Sequence, residues 1–271
     1  MESNNQAIAK DGFALILSAR NKKAKASTKP NVFFINEDAV KKYGVLDAAI
    51  IGEMYFWFAT GKSKFFRKFE DHSNFFYVSA TTIGNHHKKL TEAGIFNRTR
   101  SFSKIHGGKL AYDYTIGDSP DANKFLSEAK RVLIKDDGKG RSDFGTFSDE
   151  YEFNLTMTPR TLSLLTCAID HFKDLTTAYI YGKLVWVEFN DPEKKGIGAS
   201  RFSDMARFFG INRNTLKRKL ELLNSLGYIA FQLNNDFCSI VIDRDSKIFE
   251  EFESYMLDIN ESRHIGIMDI F

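Results

Sequence analysis

Apolar residues recur at helical spacing in two neighbouring segments in the last third of the chain. Such spacing in residues 199–209 and 213–226 predicts two amphipathic helices. Gly210 provides the turn between them, Asn212 suits the N-cap of the second helix, and Gly227 ends it. The predicted buried positions are Phe202, Met205, Ala206 and Phe209 in the first helix, and Leu216, Leu220, Leu223 and Leu226 in the second.

A β-hairpin is predicted directly after these helices. Residues 228–233 and 237–242 alternate between apolar and polar side chains, and Asn234-Asn235-Asp236 lies between them. Alternation on both sides of a short polar segment is typical of two antiparallel strands joined by a turn. Helix, short turn, second helix and hairpin together predict a helix-turn-helix with a wing.

The same pattern occurs earlier in the chain. Residues 69–83 align without a gap with residues 202–216, so that Phe75-Phe76 match Phe208-Phe209. Upstream, with four residues more in the second copy, Trp57 matches Trp186 in a chain that has only two tryptophans. The chain is therefore predicted to contain an internal duplication.

The predicted fold is α+β, with two winged-helix domains in tandem. Pro120 is expected to open a linker helix, and Pro159, with Thr158 as N-cap, a helix of the second domain. The predicted divisions are a flexible basic arm at 1–30, the first domain at 31–118, a linker helix and mobile loop at 119–149, the second domain at 150–243, and an acidic helix with an apolar tail at 244–271.

Composition excludes several classes of protein. Lys and Arg total 38 against 35 Asp and Glu, so no single sign of charge covers the whole chain. The two cysteines, Cys167 and Cys238, form no CxxC pair, which argues against a disulfide scaffold or a zinc ribbon. Residues 1–10 are polar and no apolar run reaches membrane-spanning length, so we expect a cytoplasmic, nucleoid-associated protein without membrane contact.

The polar faces of the predicted second helices carry cations and amides. Asn can pair with adenine and Arg with guanine in the major groove, while Lys neutralises phosphates. The same domains also serve as protein-binding or dimerisation modules, which stays an alternative. The candidate DNA contacts are Arg213, Asn214, Thr215, Lys217 and Arg218 on the second copy's helix, Thr81, Asn85 and Lys88 on the first copy's helix, and Arg98, Arg100, Lys104 and Lys109 in the first wing.

Residues 78–95 and 211–229 look like winged-helix recognition helices, and two such units in one chain resemble the plasmid and phage replication initiators. That resemblance implies a protein that binds repeated double-stranded origin sites, helps to open the duplex, and forms a homodimer in some members. We therefore expect the replication initiator of a bacterial plasmid, phage or other mobile element. A transcriptional regulator built on the same domains, and a protein-interaction module, are the alternatives.

Residues that suggest catalysis have simpler explanations. His86-His87 lies on a predicted helix, and His87 aligns with core-facing Leu220 rather than with a metal ligand. Asp170-His171 has no Ser or Cys nucleophile motif near it. We expect no enzymatic activity, cofactor or metal.

The chain ends in an apolar cluster. Docking onto its own domain is the ordinary expectation for such a terminus. The alternative is that Ile267–Phe271 resembles the peptides by which bacterial replication proteins bind the sliding clamp. Met268-Asp269-Ile270-Phe271 matches their end, whereas Ile267 stands where they have Gln.

Overall fold

A computed structural model describes residues 32–59, 61–102, 110–133, 161–190 and 197–255. These residues combine helices with small antiparallel sheets, in agreement with an α+β composition. They divide into two compact units: one contains residues 32–34 and 49–133, and the other contains 35–48 and 161–255. In the described part of the chain no helix is long and apolar enough to cross a membrane.

One order of elements occurs twice along the chain. The first series is β1 (Val32–Asn36), α1 (Glu37–Tyr43), α2 (Val45–Ala59), β2 (Phe65–Arg67), α3 (Phe69–Phe76), α4 (Ala80–Glu92), β3 (Phe96–Phe102), β4 (Leu110–Ile116) and α5 (Pro120–Leu133). The second is β5 (Thr161–Leu165), α6 (Thr166–Phe172), α7 (Leu175–Asn190), β6 (Ile197–Arg201), α8 (Phe202–Phe209), α9 (Arg213–Ser225), β7 (Ile229–Asn234), β8 (Phe237–Ile242) and α10 (247–255). We refer to β3–β4 as the first hairpin and to β7–β8 as the second hairpin.

Each series builds a three-stranded antiparallel sheet, in the order β2-β4-β3 in the first and β6-β8-β7 in the second. Phe96 lies opposite Ile116 in the first hairpin, as Ile229 lies opposite Ile242 in the second. Strand β1 pairs with β5 in a separate two-stranded sheet. These strand pairings show which residue of the second hairpin corresponds to each residue of the first.

Local signals explain the helix pair α8–α9. Helix α8 ends at Gly210, whose φ of +64° is accessible to glycine without strain. The Asn212 side chain then caps α9 by accepting a hydrogen bond from the backbone N–H of Asn214 at 2.9 Å. Leu216, Leu220 and Leu223 are buried, as the apolar spacing predicts.

Three predictions about the second copy are wrong in detail. The predicted helix at 199–209 begins only at Phe202, because residues 199–201 end strand β6. The residues after Pro159 form strand β5 rather than a helix: Leu162 and Leu164 alternate with polar side chains, and helix α6 begins at Thr166. Leu226 is 55% exposed, because α9 ends one residue before it.

Two predicted segments keep their predicted structure. Helix α5 begins at Pro120 and buries Phe125. The acidic C-terminal helix has buried Ile248, Phe252 and Tyr255 on the predicted face. The N-terminal arm, the loop after α5, and the terminal peptide Ile267–Phe271 lie outside the described residues.

Candidate nucleic-acid interface

The exposed face of α9 carries the polar residues that the sequence places there. Asn214, Lys217 and Arg218 are exposed, and Thr215 is half-buried. Asn214 and Arg218 lie one helical turn apart, so their side chains share one face. Lys217 Nζ lies 3.8 Å from Glu221 Oε1, an exposed i,i+4 pair of the kind that contributes little to stability. The face therefore combines an amide with two cations.

Arg213 does not extend freely from this face. Its Nη2 lies 2.7 Å from Asp236 Oδ1 in the turn of the second hairpin. Its guanidinium carbon also lies 5.4 Å from the centre of the Phe202 ring. Arg213, the first residue of α9, thus joins this helix to the hairpin turn, and any anion that binds Arg213 must compete with Asp236. Sequence reasoning missed this ion pair, because no local pattern relates the two positions.

Lys219 is not on the exposed face with Lys217 and Arg218, its neighbours in the sequence. Its ammonium nitrogen lies 2.9 Å from Asp174 Oδ1, and its side chain is only 14% exposed. The run from Arg213 to Lys219 is therefore divided by the helix into an exposed face and a structural contact. A charge run in the sequence overstates the exposed positive charge.

Helix α4 presents a less basic face than α9. Thr81, Asn85 and Lys88 are exposed, as predicted. Lys88 Nζ lies 3.8 Å from Glu92 Oε1. Glu92 offsets part of the positive charge on this face, which leaves small polar groups as its main feature.

The first hairpin holds its two described arginines differently. Arg98 is half-buried, lies opposite buried Tyr114, and its guanidinium carbon is 4.6 Å from the centre of the Tyr112 ring. Arg100, opposite Tyr112, is exposed. Arg100 is therefore better placed than Arg98 for a phosphate contact. Lys104 and Lys109 lie outside the described residues.

The tip of the second hairpin is tied to the helix pair. Strands β7 and β8 are joined at Asn235-Asp236, with Asn235 in the left-handed region at φ 55°. The carbonyl of Asp236 accepts a hydrogen bond from the backbone N–H of Phe202 at 2.6 Å, and its carboxylate pairs with Arg213. One turn residue thus contacts the start of both α8 and α9.

His87 belongs to a buried chain of hydrogen bonds, in agreement with its predicted core position. Glu53 Oε2 lies 2.6 Å from His72 Nε2, His72 Nδ1 lies 2.9 Å from His87 Nε2, and His87 Nδ1 lies 2.6 Å from the Tyr114 hydroxyl. All four side chains are buried. Burial, with the charge of His72 second, lowers the pKa of His87 to about 2. Sequence reasoning missed the other three members, which lie on different elements.

A second buried network lies in the other unit. Lys183 Nζ lies 2.6 Å from Glu37 Oε2 and donates to the carbonyl of Phe208 at 2.5 Å. The Tyr179 hydroxyl donates towards Glu37 and lies 3.1 Å from the carbonyl of Phe209. Lys183 thereby binds the carbonyl of Phe208, one of the last of α8, which have no partner within the helix. The Tyr179 hydroxyl, with one proton, lies within reach of both Glu37 and the carbonyl of Phe209. This network fixes the end of α8 directly before α9.

The residues that suggested an enzyme make structural contacts. His171 Nε2 lies 2.5 Å from the Tyr228 hydroxyl, and its ring packs edge-on against Phe172. Among the described residues no group of three or more His, Cys, Asp or Glu side chains could hold a metal ion.

Comparison of the chain with protein-family models and with curated proteins gave no match.

Proposed function

We propose that this protein is a sequence-specific double-stranded DNA-binding protein with two winged-helix domains, and that it initiates replication of a bacterial plasmid, phage or other mobile element. The exposed face of α9 is the observation that carries this proposal. Asn214 and Arg218 lie together on this face, and Arg213, the first residue of α9, joins the helix to the second hairpin. A helix of this kind fits the major groove. The proposed setting is the cytoplasmic nucleoid.

Separate substitutions test this interface. A duplex is first selected from a random library with the wild-type protein. Asn214→Ala and Arg218→Ala should each weaken binding to it by about 1–3 kcal/mol, the range for a lost base contact. Lys247→Ala is the matched control, because Lys247 is an exposed cation on α10 of the same unit. If all three variants bind this duplex with the affinity of the wild type, α9 is not part of the interface.

Arg213→Ala separates a structural role from a DNA contact. Its ion pair with Asp236 predicts a loss of hairpin position as well as of charge. Asp236→Asn removes the same pair while leaving the cation in place. If Arg213 binds DNA directly, Asp236→Asn should retain or raise affinity while Arg213→Ala lowers it; equal losses indicate that the pair acts by positioning the hairpin.

Footprinting on the DNA that flanks the gene distinguishes an initiator from a regulator. Clustered direct repeats with permanganate-reactive thymines, which mark strand opening, support the initiator. One palindrome over a promoter supports a transcriptional regulator, and no protected DNA supports an interaction module. The same preparations, analysed by sedimentation with and without DNA, test the proposed homodimer.

The sliding-clamp contact is a separate part of the proposal. Ile267–Phe271 lies outside the described residues, so its support is the sequence alone. Deletion of these five residues should abolish binding to the bacterial clamp while the melting temperature stays unchanged. A large loss of thermal stability would instead assign the segment to packing.

A further inference from the structure

Helix α1 precedes the first helix-turn-helix in the sequence but belongs to the same compact unit as α9. Its residues Glu37 and Val40 are buried. It packs against Gly210, where the turn between α8 and α9 begins. A Cβ atom at Gly210 would lie 3.2 Å from Val40 Cγ1 and 3.3 Å from Lys41 Cγ. Because these distances are shorter than ordinary van der Waals contact, glycine lets α1 approach this turn more closely than a larger residue would.

Two buried side chains of α7 hold the end of α8 that leads into the same turn. Lys183 Nζ donates to the carbonyl of Phe208 and lies 4.3 Å from the centre of its ring. The Tyr179 hydroxyl lies 3.1 Å from the carbonyl oxygen of Phe209. Both side chains also contact the carboxylate of Glu37 on α1. Since only a short turn separates α8 from α9, these contacts with α1 and α7 fix where α9 begins.

The contacts with this turn differ in the first copy of the repeat. By the sequence alignment, Lys183 corresponds to Met54, which has no proton to donate. Gly210 corresponds to Tyr77, which also has a left-handed backbone, at φ 56°, but is 38% exposed. The arrangement therefore belongs to the copy whose second helix is the more basic one.

Stability alone does not require an ion pair at this place. An apolar pair of similar volume is often as stable, because burying two charges costs solvation free energy. Hydrogen bonds to charged groups do, however, fix the direction and distance of the groups that they join. Contacts with DNA bases have strict demands of this kind, since donors and acceptors must lie within about 0.5 Å of the productive position.

We propose that α1 and the Lys183–Glu37 pair position α9 for DNA, so that the base selectivity of the second helix-turn-helix depends on residues 36–44. This inference rests on the proposed function. Glu37, Tyr179 and Lys183 are positioning residues, because all three are buried and cannot touch DNA themselves. They act through the end of α8 and the turn that follows it.

Tyr179→Phe tests the network, with Tyr181→Phe as its matched control. Both tyrosines are buried on α7, but the Tyr181 hydroxyl lies 3.2 Å from Ser246 Oγ rather than at the end of α8. Selectivity is the affinity for the duplex selected by the wild-type protein divided by that for a scrambled duplex. Both variants are assayed well below their melting temperatures, so that loss of folded protein does not contribute.

Tyr179→Phe should lower the selectivity about tenfold, as for one weakened base contact, while the affinity for the scrambled duplex stays unchanged. Tyr181→Phe should leave both affinities unchanged. A network that only stabilised the fold would not change this ratio in a folded variant. An equal loss of selectivity with both variants would overturn the proposal.

Gly210→Ala tests the contact with α1, with Gly227→Ala as its control. Both glycines follow a helix and have positive φ, 64° and 80°, so both substitutions strain the backbone. At Gly227, however, no described atom lies within 4 Å of an added Cβ. Gly210→Ala should lower the selectivity about tenfold and Gly227→Ala should change it little. Val40→Ala combined with Gly210→Ala should recover part of the loss, because it removes Val40 Cγ1.

Hydrogen exchange gives a measurement that needs no DNA. The amides of Gly210 and Ile211 donate to carbonyls in the last turn of α8. Tyr179→Phe should speed their exchange about tenfold, the effect of one lost hydrogen bond, and Tyr181→Phe should not. Unchanged exchange, or faster exchange with unchanged selectivity, would overturn the proposal. If the wild-type protein selects no duplex while exchange changes as expected, the proposed function is rejected but the contact of the network with the turn stands.

Discussion

The two copies of the repeated unit bury different chemistry at corresponding positions. In the first copy four polar side chains form one buried chain of hydrogen bonds from α2 to β4. In the second copy the corresponding side chains are absent or apolar. By the sequence alignment and the hairpin registers, Glu53, His72, His87 and Tyr114 correspond to Gly182, Met205, Leu220 and Ile240.

The network of Lys183, Tyr179 and Glu37 likewise has no polar counterpart for two of its members in the other copy. Lys183 and Tyr179 are buried with Glu37, whereas the positions that match them in the first copy are Met54 and Ile50. In the described part of the chain each unit therefore contains a buried polar network, and the two networks use different positions of the repeat. The comparison shows that this order of elements does not require a particular interior, provided that every buried polar group has a partner.

Proton positions in the first network follow from Glu53 and from the charge state of His87. Glu53 as a carboxylate accepts only, so His72 donates to it from Nε2. The lowered pKa of His87 keeps its imidazole neutral, so one ring nitrogen donates and the other accepts. The hydrogen bonds of His87 with His72 and with the Tyr114 hydroxyl therefore run in the same direction along the network.

The largest effect is expected at the buried ion pair. Lys183→Met introduces the residue found at the matching position of the first copy and leaves the Glu37 carboxylate buried without its cation. The free energy of unfolding should fall by about 3–5 kcal/mol. Lys183→Met combined with Glu37→Leu should recover most of that loss in urea denaturation. A single variant as stable as the wild type would contradict the pairing.

The next effect is expected in the hydrogen-bond chain. His87→Leu introduces the residue found at the matching position of the second copy. It leaves His72 Nδ1 without its His87 partner and removes one hydrogen bond from the Tyr114 hydroxyl, which keeps its hydrogen bond with Arg98. The loss of two hydrogen bonds, with one buried nitrogen left unpaired, should lower the free energy of unfolding by about 2–4 kcal/mol. His86→Leu, at the neighbouring half-buried position, is the control and should cost less. Equal losses would show that helix propensity or volume decides the result.

The first network also predicts a dependence on pH. His87 has a folded pKa of about 2 against an ordinary value of 6.5, so the unfolded state binds a proton that the folded state excludes. Its contribution is complete above pH 6.5 and is lost as the pH falls towards 2. The limiting slope is about 1.4 kcal/mol per pH unit for one proton. Between pH 5 and 8, His87→Leu should show a smaller slope than the wild type; parallel curves would refute this assignment.

The smallest effect is expected at the outer surfaces. If the proposed function holds, Arg100→Ala should lower the slope of log DNA affinity against log salt by about one, the value for one lost phosphate contact. Arg98→Ala should change it less, since its guanidinium lies on the Tyr112 ring. Asn235→Gly in the second hairpin should leave the slope unchanged, because no cation is removed. A shift with all three variants would indicate general distortion rather than lost charge.

Periodicity along the chain was sufficient to predict the helix pair and both hairpins. Leucines at positions 216, 220 and 223 are buried as their spacing indicates, and the cap at Asn212 forms as its side chain permits. The errors lie at element boundaries and in strand β5, where a short apolar run suits either a helix or a strand. The exposed face of α9 was predicted on the same grounds.

The sequence by itself determined the repeated order of local elements, because caps, turns and apolar spacing act over a few residues. Only the tertiary structure decided which polar residues meet. Glu37 and Lys183 lie 146 positions apart, and Arg213 reaches Asp236 from a different element. Such pairs follow from how helices and strands pack, and no local pattern encodes them. The tertiary structure therefore divides the cations of α9 into the exposed Lys217 and Arg218, the Arg213 contact with the hairpin, and the Lys219 contact with Asp174.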